Sequence, residues 1–529
     1  MFNMQWVARG LPAIVLILAA VPAGAQSFRV QCPPGTTLHP SVTASNTNPL
    51  GANAGIKCQQ ISGGDGYATM GDGTQTYMFS FGPLSGLAKI ASGQPGTDTA
   101  AEFDVVSPTL LSSTNAGTSP PPLPSWNGAI GLSPDPDQTV NGTATGTACT
   151  SIVPSTTVKT PPSCITGHVD PRQIMDVGVM NGNIPAPLMA IDEDDEFFLT
   201  LTNVGMIMRP DLFEQHTVHF HGYPNASSFY DGVPDASVAI SIGGSFTYYY
   251  LAPDAGTYFW HCHITPPEHL QMGMVGQIYV RPRQNRLPAG SFLHAGLVAQ
   301  QADPRTRSDC ANDILCTSPV PTTDNGATHL VNKSGVPTLY AYNDGDGSTA
   351  YDVEYPVQIH GFDPTFHFIG MTFNAEPFTD MKDKYFLLNG RSYPDTVTPT
   401  AMYTPASDGS NHYSQPLPSI INIPTGGRAL LRISDLDVTE FQTLASLGIP
   451  MQVIAINARL LRDQAGQNLY YNTNSVTLGG GESTDVILDA TDTTKYPKGS
   501  VFYLYTPNLD HLSNDAENFG GLMTEVHII

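Results

Sequence analysis

The sequence predicts an all-β chain of two sandwich-sized blocks, with a long loop-rich insertion near the N-terminus. Three observations predict it. Short runs of alternating apolar and aromatic residues recur between Gly, Pro and Asp turns, the pattern of sandwiches or barrels. Long stretches of helical period are missing. Charged residues are only 13%, against about 25% in ordinary soluble domains, while Gly and Pro number 50 and 45. The 529 residues allow about two to four domains. Acidic residues outnumber basic ones 46 to 22, for a net charge of -24. That balance lacks the basic footprint of a nucleic-acid binder and disfavours an anionic membrane surface.

Residues 1–25 read as a secretory signal. Arg9 precedes an apolar run, Leu11 to Val21, too short to span a bilayer. Ala23-Gly24-Ala25 follows as a small-residue cleavage site. The expected location is therefore secreted, whether periplasmic or extracellular. Tyr77, Phe79 and Phe81 alternate on one face, a strand signal. From about 92 to 170 Ser, Thr, Pro, Gly and Ala dominate, and this stretch reads as a partly irregular insertion. Strand character returns at 197–202, 246–250, 257–261 and 275–280. Residues 26–290 thus form an expected first domain, with its candidate ligands at 216–274. A linker-like segment covers 291–349, and a second strand-rich domain covers 350–529. The clearest strands of the second domain are 386–390, 429–433, 451–456, 484–488 and 501–505. Phe441 to Leu447 reads as a short helical turn.

Seven cysteines are an odd number for an exported chain. Six fall into sequence-local couples: Cys32 with Cys58, Cys149 with Cys164, and Cys310 with Cys316. Three structural disulfides are one of the 15 pairings that six cysteines allow. Cys262 is left over between two histidines and reads as a functional thiolate.

Six of the 15 histidines lie between 216 and 269, in two clusters. The first is His216-Thr-Val-His219-Phe-His221-Gly222. The second is Trp260-His261-Cys262-His263, followed by His269, Met272 and Met274. Side chains alternate faces along a strand. His219 and His221 therefore share a face, and so do His261 and His263, while Cys262 points the opposite way. One short stretch can serve two metal sites back to back. Cys262 faces a site completed by His269, His216 and a methionine, with Met274 favoured over Met272. Two histidines, a cysteine and a weak axial methionine make the ligand set of a blue-copper centre. The four remaining histidines suit a second copper or a zinc. A structural zinc site would use four ligands and leave the trailing methionine unexplained.

These motifs resemble the multicopper oxidase family, which is built from cupredoxin domains. Asn181-Gly-Asn-Ile-Pro-Ala-Pro-Leu188 resembles its first-domain opening, and His216-x-x-His219-x-His221-Gly its HxxHxHG motif. Asp231-Gly-Val-Pro234 resembles the DGxP turn, and Gly256-Thr-Tyr-Phe-Trp-His-Cys-His263 the cysteine-bearing strand. The resemblance implies two cupredoxin-like Greek-key β-sandwich domains, with the type 1 copper motif in the first. That placement is similar to copper nitrite reductases and two-domain oxidases. It implies type 1 copper at His216, Cys262, His269 and Met274. It also implies half of a type 2/type 3 cluster at His219, His221, His261 and His263. Electrons would enter near His269 and leave through Cys262. His367, in Phe-His367-Phe-Ile-Gly370, resembles the active-site histidine of copper nitrite reductases and so carries a catalytic expectation.

The second block departs from the family. Thr439 to Pro450 holds no histidine, and after Tyr505-Thr-Pro507 the next histidine is His511. The expectation is a secreted copper-dependent oxidoreductase passing single electrons to a second copper centre. The alternative is a mononuclear blue-copper electron-transfer or copper-binding protein. The donor stays open among small molecules, metal ions and proteins. Dioxygen as acceptor and a homo-oligomer completing the second site stay open too.

Overall fold

The computed structural model describes residues 30–106, 139–140, 143–144, 167–169, 181–206, 208–209, 214–222, 227–252, 254–302, 320–332, 335–371, 377–405 and 411–529. The expected signal segment, most of the insertion and the couples 149/164 and 310/316 lie outside these residues.

The N-terminal block opens with β1 (Ile56–Thr69) and β2 (Gln75–Pro83). It continues through β3 (Met189–Asp192), β4 (Glu196–Gly205), β5 (His219–Phe220) and β6 (Ser245–Leu251). It ends with β7 (Gly256–His261), helix α1 (Pro266–Gln271) and β8 (Val275–Arg281). One sheet has the order β6–β4–β1–β2, with the short strand Asp98–Thr99 also paired to β1. The other has the order β3–β8–β7–β5. Phe197, Leu199 and Leu201 alternate inward from β4 and meet Trp260 and Ile278 from the facing sheet in one buried core. Two-faced burial of this kind makes a sandwich. The expected Cys32–Cys58 disulfide is present and pins the N-terminal segment to β1 across 26 residues of sequence.

Helix α2 (Leu293–Gln301) is followed by chain that buries Tyr340, Tyr342 and Asp344 against both blocks. The C-terminal block contains β9 (Val353–Phe362), helix α3 (Pro364–Met371), β10 (Tyr385–Leu388), β11 (Met402–Pro405) and β12 (Asn411–Gln415). Next come β13 (Ile421–Ile423), β14 (Arg428–Asp435), β15 (Gln442–Leu447) and β16 (Met451–Ile456). The last are β17 (Ser475–Leu478), β18 (Ser483–Asp489), β19 (Val501–Tyr505) and β20 (Met523–Ile528). The larger sheet runs β16–β18–β14–β9–β10, with short strands at its ends. The smaller runs β13–β20–β19–β15–β17. Ile359, Leu431, Val486, Leu444 and Val526 fill the core between them. The chain is all-β in two sandwiches, as the alternation predicts.

One local expectation is corrected. Residues 442–447 form strand β15 and not a helical turn, because the segment pairs with β17 on one side and β19 on the other. Ladder hydrogen bonds on both edges override a weak helical spacing.

Apolar contacts, such as Phe259 and Leu270 with Leu436, and a set of hydrogen bonds join the two sandwiches. Gln277 Nε2 donates to the Arg432 carbonyl at 2.9 Å and to Ser434 Oγ at 2.8 Å. Thr257 Oγ1 donates to Asp485 Oδ1 at 2.6 Å, and Ser483 Oγ donates to the Thr257 carbonyl at 2.7 Å. Glu354 takes Arg281 from the first block and Arg432 from the second. Strands β7 and β8, which flank the candidate site, are thus fixed from behind by the second block.

Candidate metal centre

Strand pairing brings the histidine motifs together. Trp260 lies opposite Phe220, and His261 opposite His219, in the β7–β5 ladder. His216 pairs with Ile240 in an isolated bridge beside this ladder. Beyond β7 the chain enters α1, which carries His269, and returns as β8.

His216, Cys262 and His269 are all buried, and their ligand atoms lie within 4.8 Å of one another. The Cys262 Sγ is 3.2 Å from His269 Nδ1 and 4.0 Å from His216 Nδ1. The same sulfur accepts the Thr217 N–H at 3.4 Å. Met274 is wired to this group through its backbone. Its N–H donates to the His269 carbonyl at 2.8 Å, and its carbonyl accepts the Cys262 N–H at 3.0 Å. Met272 and Met274 both sit in the core with Cys262. Phe79 packs against His269 in a T-shaped contact, centroids 5.2 Å apart.

Burial, then the neighbouring His269, push His216 well below the ordinary histidine range. Burial also acts to lower His269, but the Cys262 sulfur and Glu214 outweigh it and hold His269 up to about 10. A cysteine sulfur, two Nδ1 atoms and an adjacent methionine in a dry site fit copper by softness and number. His269 has no exposed surface, and its Nε2 faces the Glu214 carboxylate at 3.7 Å. Glu214 in turn lines an open cavity of about 420 Å³ with Gln215, Ser241, Ile242 and Ile264.

The second group gathers around β5 and the end of β7, where His261 immediately precedes Cys262. His219, His221 and His261 have ligand atoms within 4.8 Å of one another. The His263 ring sits 5.1 Å from that of His219 and 5.3 Å from that of His261. Three rings are held by backbone partners. His219 Nδ1 lies 2.6 Å from the Asp231 carbonyl, and His261 Nδ1 2.6 Å from the Cys262 carbonyl. His221 bonds the backbone of Gly481 from the second block. Carbonyl contacts at one ring nitrogen fix the tautomer and leave the other free for a metal. His221 Nε2 and His261 Nε2 approach to 3.0 Å, so the free nitrogens converge. Burial, with His219 adding to it, pushes His221 down to about 4. Burial also drives His261 well below its usual range. Neutral rings are the ligand form.

A cavity of about 540 Å³ opens in front of this group. Its far wall is second-block chain: Asp437 to Phe441 and Gly479 to Gly481. No histidine of the second block lines it among the described residues. Sequence reasoning did not find this wall, because the loops after β14 and after β17 carry no ligand signature. His367 stands apart from both groups. It is buried in α3, stacked on Phe362 at 3.7 Å, with Nδ1 2.6 Å from the Tyr77 carbonyl and Nε2 3.0 Å from the Gln271 carbonyl.

Comparison with known proteins agrees with this geometry. Residues 165–285 match the multicopper oxidase family. Laccase abr2 of Aspergillus fumigatus is 34% identical over 109 residues, 20% of this chain and 17% of that protein. Multicopper oxidase MCE of Talaromyces pinophilus is 33% identical over 112 residues, 21% of this chain and 17% of that protein. A copper-containing nitrite reductase of Rhizobium meliloti is 34% identical over 109 residues, 20% of this chain and 26% of that protein. The matched segment therefore spans about a quarter or less of each relative. Among solved structures, a blue copper oxidase from Nitrosomonas europaea has 20% identity and a TM-score of 0.43, covering 66% of this chain and 78% of that one. The residues matched to that family, 165–285, carry both histidine groups and Cys262.

Proposed function

We propose that this protein is an exported copper-dependent oxidoreductase that accepts single electrons at one buried site and delivers them to a second. The carrying observation is that Cys262 belongs to one candidate ligand group while its chain neighbour His261 belongs to the other. Copper bound at the two groups would supply reversible one-electron chemistry.

The chain's own residues define the remaining roles. His216, Cys262, His269 and Met274 would hold the first metal. Burial of the first three excludes water and keeps the ligand set rigid. His269 is the ligand nearest the Glu214 cavity, and Cys262 leads by one peptide unit to His261 and His263. A donor would dock at that cavity, where the Glu214 carboxylate lies between solvent and His269 Nε2. Its negative charge favours a cationic donor or one that releases a proton. Burial of His269 means a donor meets Glu214 before it meets the imidazole. His219, His221, His261 and His263 would hold the second metal, open toward the larger cavity. That cavity admits a small acceptor, dioxygen being the one the family implies.

A mononuclear blue-copper carrier is the second reading. It is favoured by the histidine-free wall that the second block presents to the outer group. Metal analysis with electron paramagnetic resonance separates the two. The oxidoreductase reading expects more than one copper per chain and two kinds of copper signal, with oxygen consumed in the presence of a phenolic or metal-ion donor. A single copper per chain after full reconstitution would sink it in favour of the carrier.

A further inference from the structure

The Cys262-to-Met274 segment depends on a short helix. Helix α1 has six residues, Pro266 to Gln271. A helix of that length is marginal alone, and its last carbonyls lack intrahelical partners. In this protein the Glu268, Leu270 and His269 carbonyls take the Met272, Gly273 and Met274 N–H groups just beyond the helix, and the second block adds side-chain contacts to the same turn. His360 is buried in β9, and its Nε2 lies 2.9 Å from the Leu270 carbonyl. Its Nδ1 has no hydrogen-bond partner among the described residues, so the proton belongs on Nε2 and is donated to Leu270. The His367 ring sits beside the next carbonyl, that of Gln271. The Gln271 side chain is fully buried and held at both ends. Its Nε2 donates to Asp383 Oδ1 at 2.8 Å, and its Oε1 accepts the Asp363 N–H at 3.0 Å.

We propose that the second domain acts as the positioning element of the first metal site, through a brace in which His360 and Asp383 grip Leu270 and Gln271 and so fix His269. The inference rests on reading His216, Cys262 and His269 as a metal site. It goes further by giving the second domain a role there without supplying a ligand. The geometry is continuous. His360 and Gln271 fix the last turn of α1, and the His269 carbonyl in that helix accepts the Met274 N–H. The Met274 carbonyl then takes the Cys262 N–H. Only Leu270 separates Gln271 from His269, so a shift of the braced turn moves the imidazole directly. His360 is a positioning residue and touches no candidate ligand atom. Its only free nitrogen is buried, and its other is committed to Leu270.

The test uses the full-length copper-loaded protein. His360→Leu removes the donor, His360→Gln keeps an amide donor near the Nε2 position, and Gln271→Met removes both side-chain bonds at similar volume. Absorption near about 600 nm, the copper hyperfine pattern and copper loss to excess chelator are read beside a thermal melt. The brace predicts that His360→Leu and Gln271→Met alter band and hyperfine and weaken copper retention by about 10- to 100-fold, the usual cost of losing a supporting partner. His360→Gln restores most of the wild-type signature at a similar melting temperature. Were His360→Leu not to fold, Gln271→Met against His360→Gln decides. Unchanged spectra and retention in folded His360→Leu or Gln271→Met overturn the brace. A wild-type protein without the absorption band overturns the metal-site reading itself, a separable failure.

Discussion

Gly481→Ala tests whether the second block seals the outer histidine group. Gly481 has φ +89, where an L residue is strained, and an added Cβ would lie 2.7 Å from His221 Nδ1 and 2.8 Å from its Cε1. Ordinary contact is about 3.5 Å, so the ring or the turn must move by about 0.8 Å. The ring cannot retreat freely, because His261 Nε2 already stands 3.0 Å from His221 Nε2 on its other side. Backbone strain alone costs about 1–3 kcal/mol. Gly499→Ala isolates that term, since Gly499 has φ +87 and nothing within 4 Å of an added Cβ. Both variants should lose similar stability in a denaturant melt, with Gly481→Ala losing more. Only Gly481→Ala should also lose metal from the outer group, while the Cys262 absorption persists. Copper counting and electron paramagnetic resonance read this difference. If Gly481→Ala retains its second metal as firmly as Gly499→Ala, the turn does not support that group and the reasoning fails.

Three further outcomes follow from the fold. Cys32→Ser opens a 26-residue loop, and loop entropy puts the loss at about 3.5 kcal/mol, measured as a lower unfolding midpoint under non-reducing conditions. Asp195 is raised from 3.8 to about 7 by burial. A carboxyl raised in the folded state stabilises most below its unfolded value and loses that contribution as pH climbs through the folded one. Wild type should therefore lose stability between about pH 4 and 7, and Asp195→Asn should flatten that slope in melts across the range. Arg432→Met leaves the buried carboxylate of Asp485 and the part-buried one of Glu354 short of a partner. A cost of about 3–5 kcal/mol is expected in a chemical denaturation curve, and a loss below 1 kcal/mol would contradict the seam as described.

Much of the first site was legible because strand geometry writes itself into spacing. The alternation His261-Cys262-His263 predicts the sulfur and the imidazoles on opposite faces, and Cys262 stands with His216 and His269 while His261 stands with His219 and His221. The leftover cysteine stood out against the sequence-local couples, of which Cys32–Cys58 is present. The second block was harder to read. Gly481 and Asp437 come from separate loops, and neither residue type marks a cavity wall. His367 resembles an active-site histidine in sequence, but its contacts with the Tyr77 and Gln271 carbonyls, like that of His360 with Leu270, depend on where α1 lands, which no local pattern encodes. Gln442 to Leu447 was misread for the same reason: its two strand neighbours lie about 30 and 60 residues further along the chain.

The central claim is that Cys262 joins two metal groups of different kind. Copper counting with absorption and electron paramagnetic resonance on wild type and Cys262→Ser tests it most directly. Wild type should hold more than one copper per chain, with an intense band at about 600 nm from the cysteine–copper bond. In Cys262→Ser that band should vanish while copper at the four outer histidines remains. One copper per chain in wild type, or an absorption band that survives Cys262→Ser, would contradict it.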